Sequence, residues 1–321
     1  MKSEKSKNII IGIDTSCYTT SIAAISLDKS IVFNEKIMLK VGKDSKGLRQ
    51  SEMVFQHVNN LGYISEKIKN TMEKYNVVAI CASEKPRPIS ESYMPAFTVG
   101  YNFAKLLSSM NGIALYPTTH QENHIYASLH TNELKRDRFI SVHMSGGTTE
   151  VLLVEKIKNE LKINIIGGSK DISFGQLIDR LGVKMGYGFP CGKYIDENAM
   201  KCSEDINVGI KTSVKDGYMN LSGIENQLDK CIKQYDEGYT SKLLMDSIVR
   251  NLYKVLKYLC KDNDINEVVF AGGVASSEYI KINLIKKLSK SNIKCCFTKS
   301  EYSTDNAVGC AKIGLNKFIG E

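Results

Sequence analysis

Phe139-Ile140-Ser141-Val142-His143-Met144-Ser145-Gly146-Gly147-Thr148-Thr149 is an apolar run that stops at a tight polar turn. Val151–Val154 follows as a second strand and Leu161–Ile166 as a third. The same plan occurs near the start of the chain. Ile9-Ile10-Ile11-Gly12-Ile13-Asp14-Thr15-Ser16 is again strand and turn, and strands at Ser21–Ser26 and Ile31–Met38 complete a meander. After it, Val54, Val58, Leu61, Ile64 and Ile68 share one face of a helix over Val54–Tyr75. Val77–Ala82 reads as a buried strand, and Met94–Met110 as a helix closed by Asn111-Gly112. A strand plan repeated at this distance predicts a duplicated domain rather than a solenoid.

Short side chains in such turns let backbone N–H groups approach phosphate oxygens, although the same residues also make plain hairpin turns. A third element adds weight. Glu267-Val268-Val269-Phe270 runs into Ala271-Gly272-Gly273-Val274-Ala275-Ser276-Ser277, and a helix follows over Tyr279–Leu288. A glycine pair between strand and helix opens a helix N-terminus to a ligand. Together these elements predict an α/β chain of the two-lobed actin/Hsp70/sugar-kinase (ASKHA) type, with duplicated mixed-sheet domains. The expected division is an N-terminal lobe over 1–117 and a C-terminal lobe over 118–305. The metal and nucleotide site is expected in the cleft between them, and a helix over 306–321 is expected to pack back on the first lobe.

Thr118-Thr119-His120-Gln121-Glu122-Asn123-His124 holds two of the five histidines at a spacing of four. On a helix this stacks both imidazoles on one face, as a metal clamp requires, and equally as a solvated face allows. Glu122 stands at the middle of the motif, not directly after His120, so the general base of a zinc protease is not in its usual place. No nucleophile with an adjacent base is visible.

The composition is that of a globular chain: 321 residues, 42% hydrophobic and 24% charged. The nine cysteines form no C-x-x-C pair, which argues against a disulfide framework or a cysteine-built zinc site. The start of the chain lacks the pattern of a signal peptide, and no segment reads as a membrane span, so a cytoplasmic protein with no membrane partner is expected. A net charge of +8 suits a polyanion such as RNA.

In order along nearly the whole chain, the motifs resemble those of the TsaD family of tRNA threonylcarbamoyladenosine synthases, long described as glycoproteases. Gly12-Ile13-Asp14-Thr15-Ser16-Cys17 resembles G-I-E-T-S-C, and His120 to His124 matches H-x-x-x-H. Met144 to Glu150 is similar to V-S-G-G-H-T-E, and Phe174 to Asp179 to G-E-A-F-D. Gly188 to Gly192 resembles G-Y-P-G-G, and Asn220 to Ile224 falls where F-S-F-S-G-L is expected. Ala271 to Ser277 resembles A-G-G-V-A-A-N, and Ser303 to Ala307 resembles C-T-D-N-A.

The resemblance implies acyl transfer from threonylcarbamoyl-AMP to the exocyclic amine of the adenosine beside the tRNA anticodon. It implies one divalent metal, iron or zinc, on His120, His124 and Asp305. It assigns Ser145, Gly146, Gly147, Thr148, Thr149, Asp179, Gly192, Gly272, Gly273 and Ser277 to the adenylate-type nucleotide, with Asp14 and Glu150 as catalytic candidates. Asp179 would accept hydrogen bonds from the ribose or the threonyl amine, or else would be a helix-surface carboxylate paired with Arg180 or Lys184. The partners implied are tRNA and the other proteins of a threonylcarbamoylation complex. Lys43, Lys46, Arg49, Lys85, Arg87 and Lys184 are candidate RNA contacts, with Tyr93 beside Arg87 as a stacking ring.

The chain departs from the family pattern at Thr148 (histidine in the family), Ser277 (asparagine), Asp14 (glutamate) and Tyr18-Thr19-Thr20. Pro86–Pro95 replaces a glycine loop with a charged, proline-stiffened one. These departures suit a divergent paralogue with a different transfer reaction, or a non-catalytic partner subunit of the true synthase.

Overall fold

A computed structural model describes residues 7–16, 18–42, 48–132, 134–158 and 160–320. Cys17, Lys43 and Lys46 lie outside the described residues. The chain divides into two compact units, Met1–Glu133 with Thr304–Glu321, and Leu134–Ser303.

In the first unit, β1 (Asn8–Asp14), β2 (Thr19–Ser26) and β3 (Ile31–Met38) form an antiparallel meander. β4 (Asn76–Lys85) and β5 (Ala114–Thr119) run parallel to β1, giving the order β3-β2-β1-β4-β5. Among the described residues, four helices cover this sheet: α1 (Gln50–Met72), α2 (Pro95–Asn111), α3 (His120–Thr131) and α10 (Val308–Gly320). β1 is buried on both faces, so it is a continuous apolar run instead of an alternating one. Its side chains still alternate. Ile9, Ile11 and Ile13 enter one core with Leu61 and Ile64 of α1 and Ala104 of α2. Ile10, Gly12 and Asp14 point the other way. On that side, a Cβ at Gly12 would lie 2.3 Å from the carbonyl oxygen of Ala307, and one at Gly314 would lie 2.7 Å from Ile10. Helix α10 therefore presses on β1 backbone to backbone, and Asp14 is aimed into the layer that α10 and α3 form.

The second unit repeats the plan. β6 (Arg138–Met144), β7 (Thr149–Ile157) and β8 (Glu160–Ser169) form the meander, and β11 (Glu267–Ala271) and β12 (Lys294–Phe297) lie parallel to β6. The order β8-β7-β6-β11-β12 matches that of the first sheet, with β10 (Tyr218–Asn220) and β9 (Ser213–Lys215) added beyond β8. The helices are α4 (Phe174–Lys184), α5 (Gly192–Lys201), α6 (Ser222–Cys231), α7 (Glu237–Asp262), α8 (Glu278–Leu288) and the short α9 (Ser300–Ser303). Leu244, Ile248, Leu252, Val255 and Leu259 carry one stripe of α7 into a core with Ile140, Val142, Met144 and Phe270.

The expected lobe boundary at 117/118 requires correction. Helix α3 belongs to the first unit, and so does Asp305. The cause is packing: Asn123 of α3 donates to the carbonyl of Asn306 at 2.6 Å and accepts from the N–H of Cys310 at 2.8 Å. Among the described residues no helix is long and apolar enough to cross a membrane.

Candidate metal centre

His120 is the first residue of α3, and the helix start is fixed by a capping box. The Thr119 hydroxyl accepts from the N–H of Glu122 at 3.2 Å, and the Glu122 carboxylate accepts from the N–H of Thr119 at 2.8 Å. Glu122 is thus the cap of the helix that presents the histidines. One turn on, His124 stacks edge-on against His120, ring centroids 4.4 Å apart. Asp305 arrives from the segment before α10. Asn306 holds that segment, donating to the carbonyl of Thr304 at 2.8 Å and accepting from the N–H of Val308 at 3.0 Å.

Three donor atoms converge. His120 Nε2 and His124 Nε2 are 3.0 Å apart, and Asp305 Oδ1 lies 3.3 Å from the second and 3.7 Å from the first. Two ligands about 2.1 Å from a shared metal sit about 3.0 Å apart at a right angle and about 3.4 Å apart at the tetrahedral angle. The set fits an ion, and two imidazoles with one carboxylate suit iron or zinc. Both histidines are buried, and Asp305 is 22% exposed at its side chain, so the centre opens on the carboxylate side.

Behind His120 stands Asp14, fully buried. Its Oδ2 lies 3.1 Å from His120 Nδ1 and accepts from the Ser16 hydroxyl at 2.5 Å, and its Oδ1 accepts from the Ser83 hydroxyl. A carboxylate can only accept, so Nδ1 of His120 carries the proton and Nε2 keeps the lone pair. Such an outer support would orient His120 if it held a metal. Burial lowers the His120 pKa, but the charges of Asp14 and Asp305 more than offset it, so the ring titrates above its ordinary value. Burial and the neighbouring His120 hold His124 below its ordinary value.

The residues expected at the nucleotide lie in the second unit. Ser145 closes its own turn, its hydroxyl accepting from the N–H of Thr148 at 3.0 Å. The Thr149 hydroxyl accepts from the N–H of Phe174 at 2.9 Å, fastening the turn to the start of α4. Gly146 and Gly147 are exposed, with open space where a Cβ would stand. Asp179 does not pair with Arg180 or Lys184. It accepts from the N–H of Cys191 at 2.8 Å, while those two cations bind Glu225, and Lys184 also binds Asp229. Gly192 is the first residue of α5, and Glu150 is half-buried opposite His143 across β6 and β7.

The Gly272-Gly273 turn differs from expectation. Gly272 has φ 96°, and a Cβ there would lie 2.2 Å from the carbonyl of Met144. Gly273 opens a single 3-10 turn over Gly273–Ser276 instead of the helix itself, and α8 begins at Glu278, one residue before the expected start. Its N-terminus is filled by Ser277, whose hydroxyl accepts from the N–H of Ile280, and by Asp196 of α5, which accepts from Glu278 and Tyr279.

Sequence reasoning missed Asn123, Asn306, Ser83 and Asp196. Asn123 and Asn306 gave a signal, as the residues next to His124 and Asp305 inside their motifs. The Pro86–Pro95 loop touches the same helix, since its Pro86 carbonyl accepts from the N–H of Gln121 at 3.0 Å. In that loop Arg87 is half-buried and Tyr93 is 72% exposed. Arg49 is exposed, and Lys85 lies beside Glu84.

Solved structures share the fold. Full-length HypF in its phosphate- and nucleotide-bound form superposes with a TM-score of 0.64 at 12% identity, over 99% of this chain and 47% of that one. This chain thus spans about half the length of HypF. The ROK hexokinase from Thermus thermophilus gives 0.56 at 12% identity, over 98% and 100% of the two chains. The fold is therefore the sugar-kinase-like α/β fold expected from the duplicated meanders. In sequence, the chain is 28% identical to the tRNA N6-adenosine threonylcarbamoyltransferase of Thermosipho africanus, over 97% of this chain and 94% of the relative. It is 27% identical to that of Mycoplasma mobile, over 97% and 98%. The profile of the TsaD family, described as tRNA N6-adenosine threonylcarbamoyltransferase, matches residues 56–312, and the chain belongs to that acyltransferase family.

Proposed function

We propose that this chain transfers a threonylcarbamoyl group from threonylcarbamoyl-AMP to the exocyclic amine of the adenosine beside the anticodon of tRNA. The convergence of His120, His124 and Asp305 within one unit carries this reading, in a chain whose relatives bear that activity in their names. In the reaction the amine nitrogen bonds to the carbamoyl carbonyl carbon. The bond from that carbon to the AMP phosphate oxygen breaks, AMP leaves with the electron pair, and the amine gives up a proton.

A divalent iron or zinc ion on the three ligands would supply Lewis-acid polarisation of the donor. Asp14 serves as a positioning residue, holding the Nδ1 proton of His120 so that Nε2 faces inward. Glu150 remains the carboxylate candidate for the amine proton. The exposed Gly146 and Gly147 offer backbone N–H donors to the adenylate phosphate. Asp179 has lone pairs beyond the one Cys191 uses, suited to a ribose hydroxyl or the threonyl amine. A protein partner is supported by Phe55 and Val58 on α1 and Leu106 and Met110 on α2, large apolar side chains exposed on two packed helices. A tRNA substrate places the work in the cytoplasm.

A second reading, a paralogue with a different transfer reaction, is favoured by Thr148 in place of the family histidine and by the Pro86–Pro95 loop against α3. One experiment separates the two: transfer of labelled threonylcarbamoyl to unmodified tRNA, with partner proteins present. The expected result is labelled tRNA from the wild type and a loss of at least a hundredfold in His120→Ala, about the effect of removing a metal ligand. Absence of product in every combination of partners would favour the second reading.

A further inference from the structure

We propose that Tyr194 is a stacking platform for a nucleobase of single-stranded RNA, the base next to the acceptor adenosine. This rests on the reading that the chain acts on tRNA. Residues 187–194 wrap around the buried thiol of Cys191, whose Sγ lies 3.6 Å from the carbonyl oxygens of both Asp179 and Gly188. The bond from Cys191 N–H to Asp179 ties this segment to a carboxylate assigned above to the donor.

Two rings flank the clamp. Tyr187 and Tyr194 stack with centroids 5.2 Å apart and planes 4° from parallel. The inner ring is locked, since its hydroxyl donates to Glu237 and accepts from the Asn198 amide at 2.7 Å. The outer ring, in the first turn of α5, is 48% exposed, and Phe189 between them in sequence is 44% exposed.

A parallel pair with a fixed inner member is a stack that can accept a third flat member. Nucleobases add to aromatic rings in this way without sequence preference. One exposed cation adjoins the outer ring in sequence. Lys193 is highly exposed, and its distance to Glu197 is 3.9 Å, a loose surface pair. A single ring face beside a lysine is small for a protein interface, which needs a contiguous apolar patch.

The test is binding of a fluorescent, unmodified anticodon stem-loop RNA to the full chain at fixed salt. A second RNA carries 2-aminopurine beside the acceptor adenosine. Tyr194→Ala should weaken binding about tenfold with an unchanged salt slope, and should abolish the quenching of 2-aminopurine that the wild type produces. Tyr194→Phe, which keeps the ring, should behave as the wild type, and both variants should melt as the wild type does. Unchanged affinity and quenching in Tyr194→Ala would overturn the platform alone and leave the proposed function standing. A wild type that binds neither RNA, with the partner proteins present as well as alone, would overturn both. A change in sedimentation with no change in RNA binding would assign the ring to a protein contact and overturn the proposal.

Discussion

Ser16, Ser83 and His120 surround the carboxylate of Asp14, which lies on the face of β1 opposite Ile13. Its position follows from strand alternation, and its effect on His120 follows from charge. Asp14→Asn preserves the shape but leaves His120 facing a neutral amide. Metal affinity should fall about ten- to a hundredfold, measured by titration of zinc or iron(II) into the metal-free protein, with little change in melting temperature. An equal affinity in the variant would remove Asp14 from the centre. The histidine pair was legible because i, i+4 spacing is a local property of one helix. Asp14 was legible as a motif residue but not as a neighbour of the pair, and Asp305 was expected beside the pair only through the resemblance. They lie 106 and about 180 residues from it, and no periodicity reports contact at such separation.

Elements with a strong local pattern were legible in the sequence. β3 and the first two meander strands follow from apolar runs broken by polar turns, and the end of α2 follows from Gly112 in the left-handed region at φ 62°. Helix α7 carries an equally clear stripe from Leu244 to Leu259, yet no motif in it draws notice because its work is packing. The start of α8 at Glu278 lies within one residue of the expected Tyr279, while the 3-10 turn between it and the glycine pair was not legible, because a glycine pair signals a turn without fixing its length. Where α3 meets α10, two effects compete at Gly309. Alanine in a helix gains about 0.5–1 kcal/mol over glycine. A Cβ at this position, however, would lie 1.9 Å from the backbone carbonyl of Asn123, which cannot swing away as a side chain would. Overpacking costs about 1–3 kcal/mol, so Gly309→Ala should lower the melting temperature and weaken metal binding together. A stabilised variant with intact metal binding would refute the close approach.

At the scale of the whole molecule, the two units differ in how they are built from the chain. Leu134–Ser303 is continuous and contains its entire seven-stranded sheet. The other unit needs Thr304–Glu321 as well, because α10 covers β1 and β4 and Asp305 completes the donor set. A fragment of residues 134–303 should therefore melt cooperatively in circular dichroism, and a fragment of residues 1–133 should not. A cooperative transition in the shorter fragment would show that α10 is dispensable to that sheet. On the ribosome the same arrangement imposes an order of events. At about 5–20 residues per second, the nascent first sheet waits roughly 10–30 s with one side uncovered while the intervening segment is translated. The later segment can finish folding before the earlier one, so the candidate metal centre is among the last parts of the protein to be born.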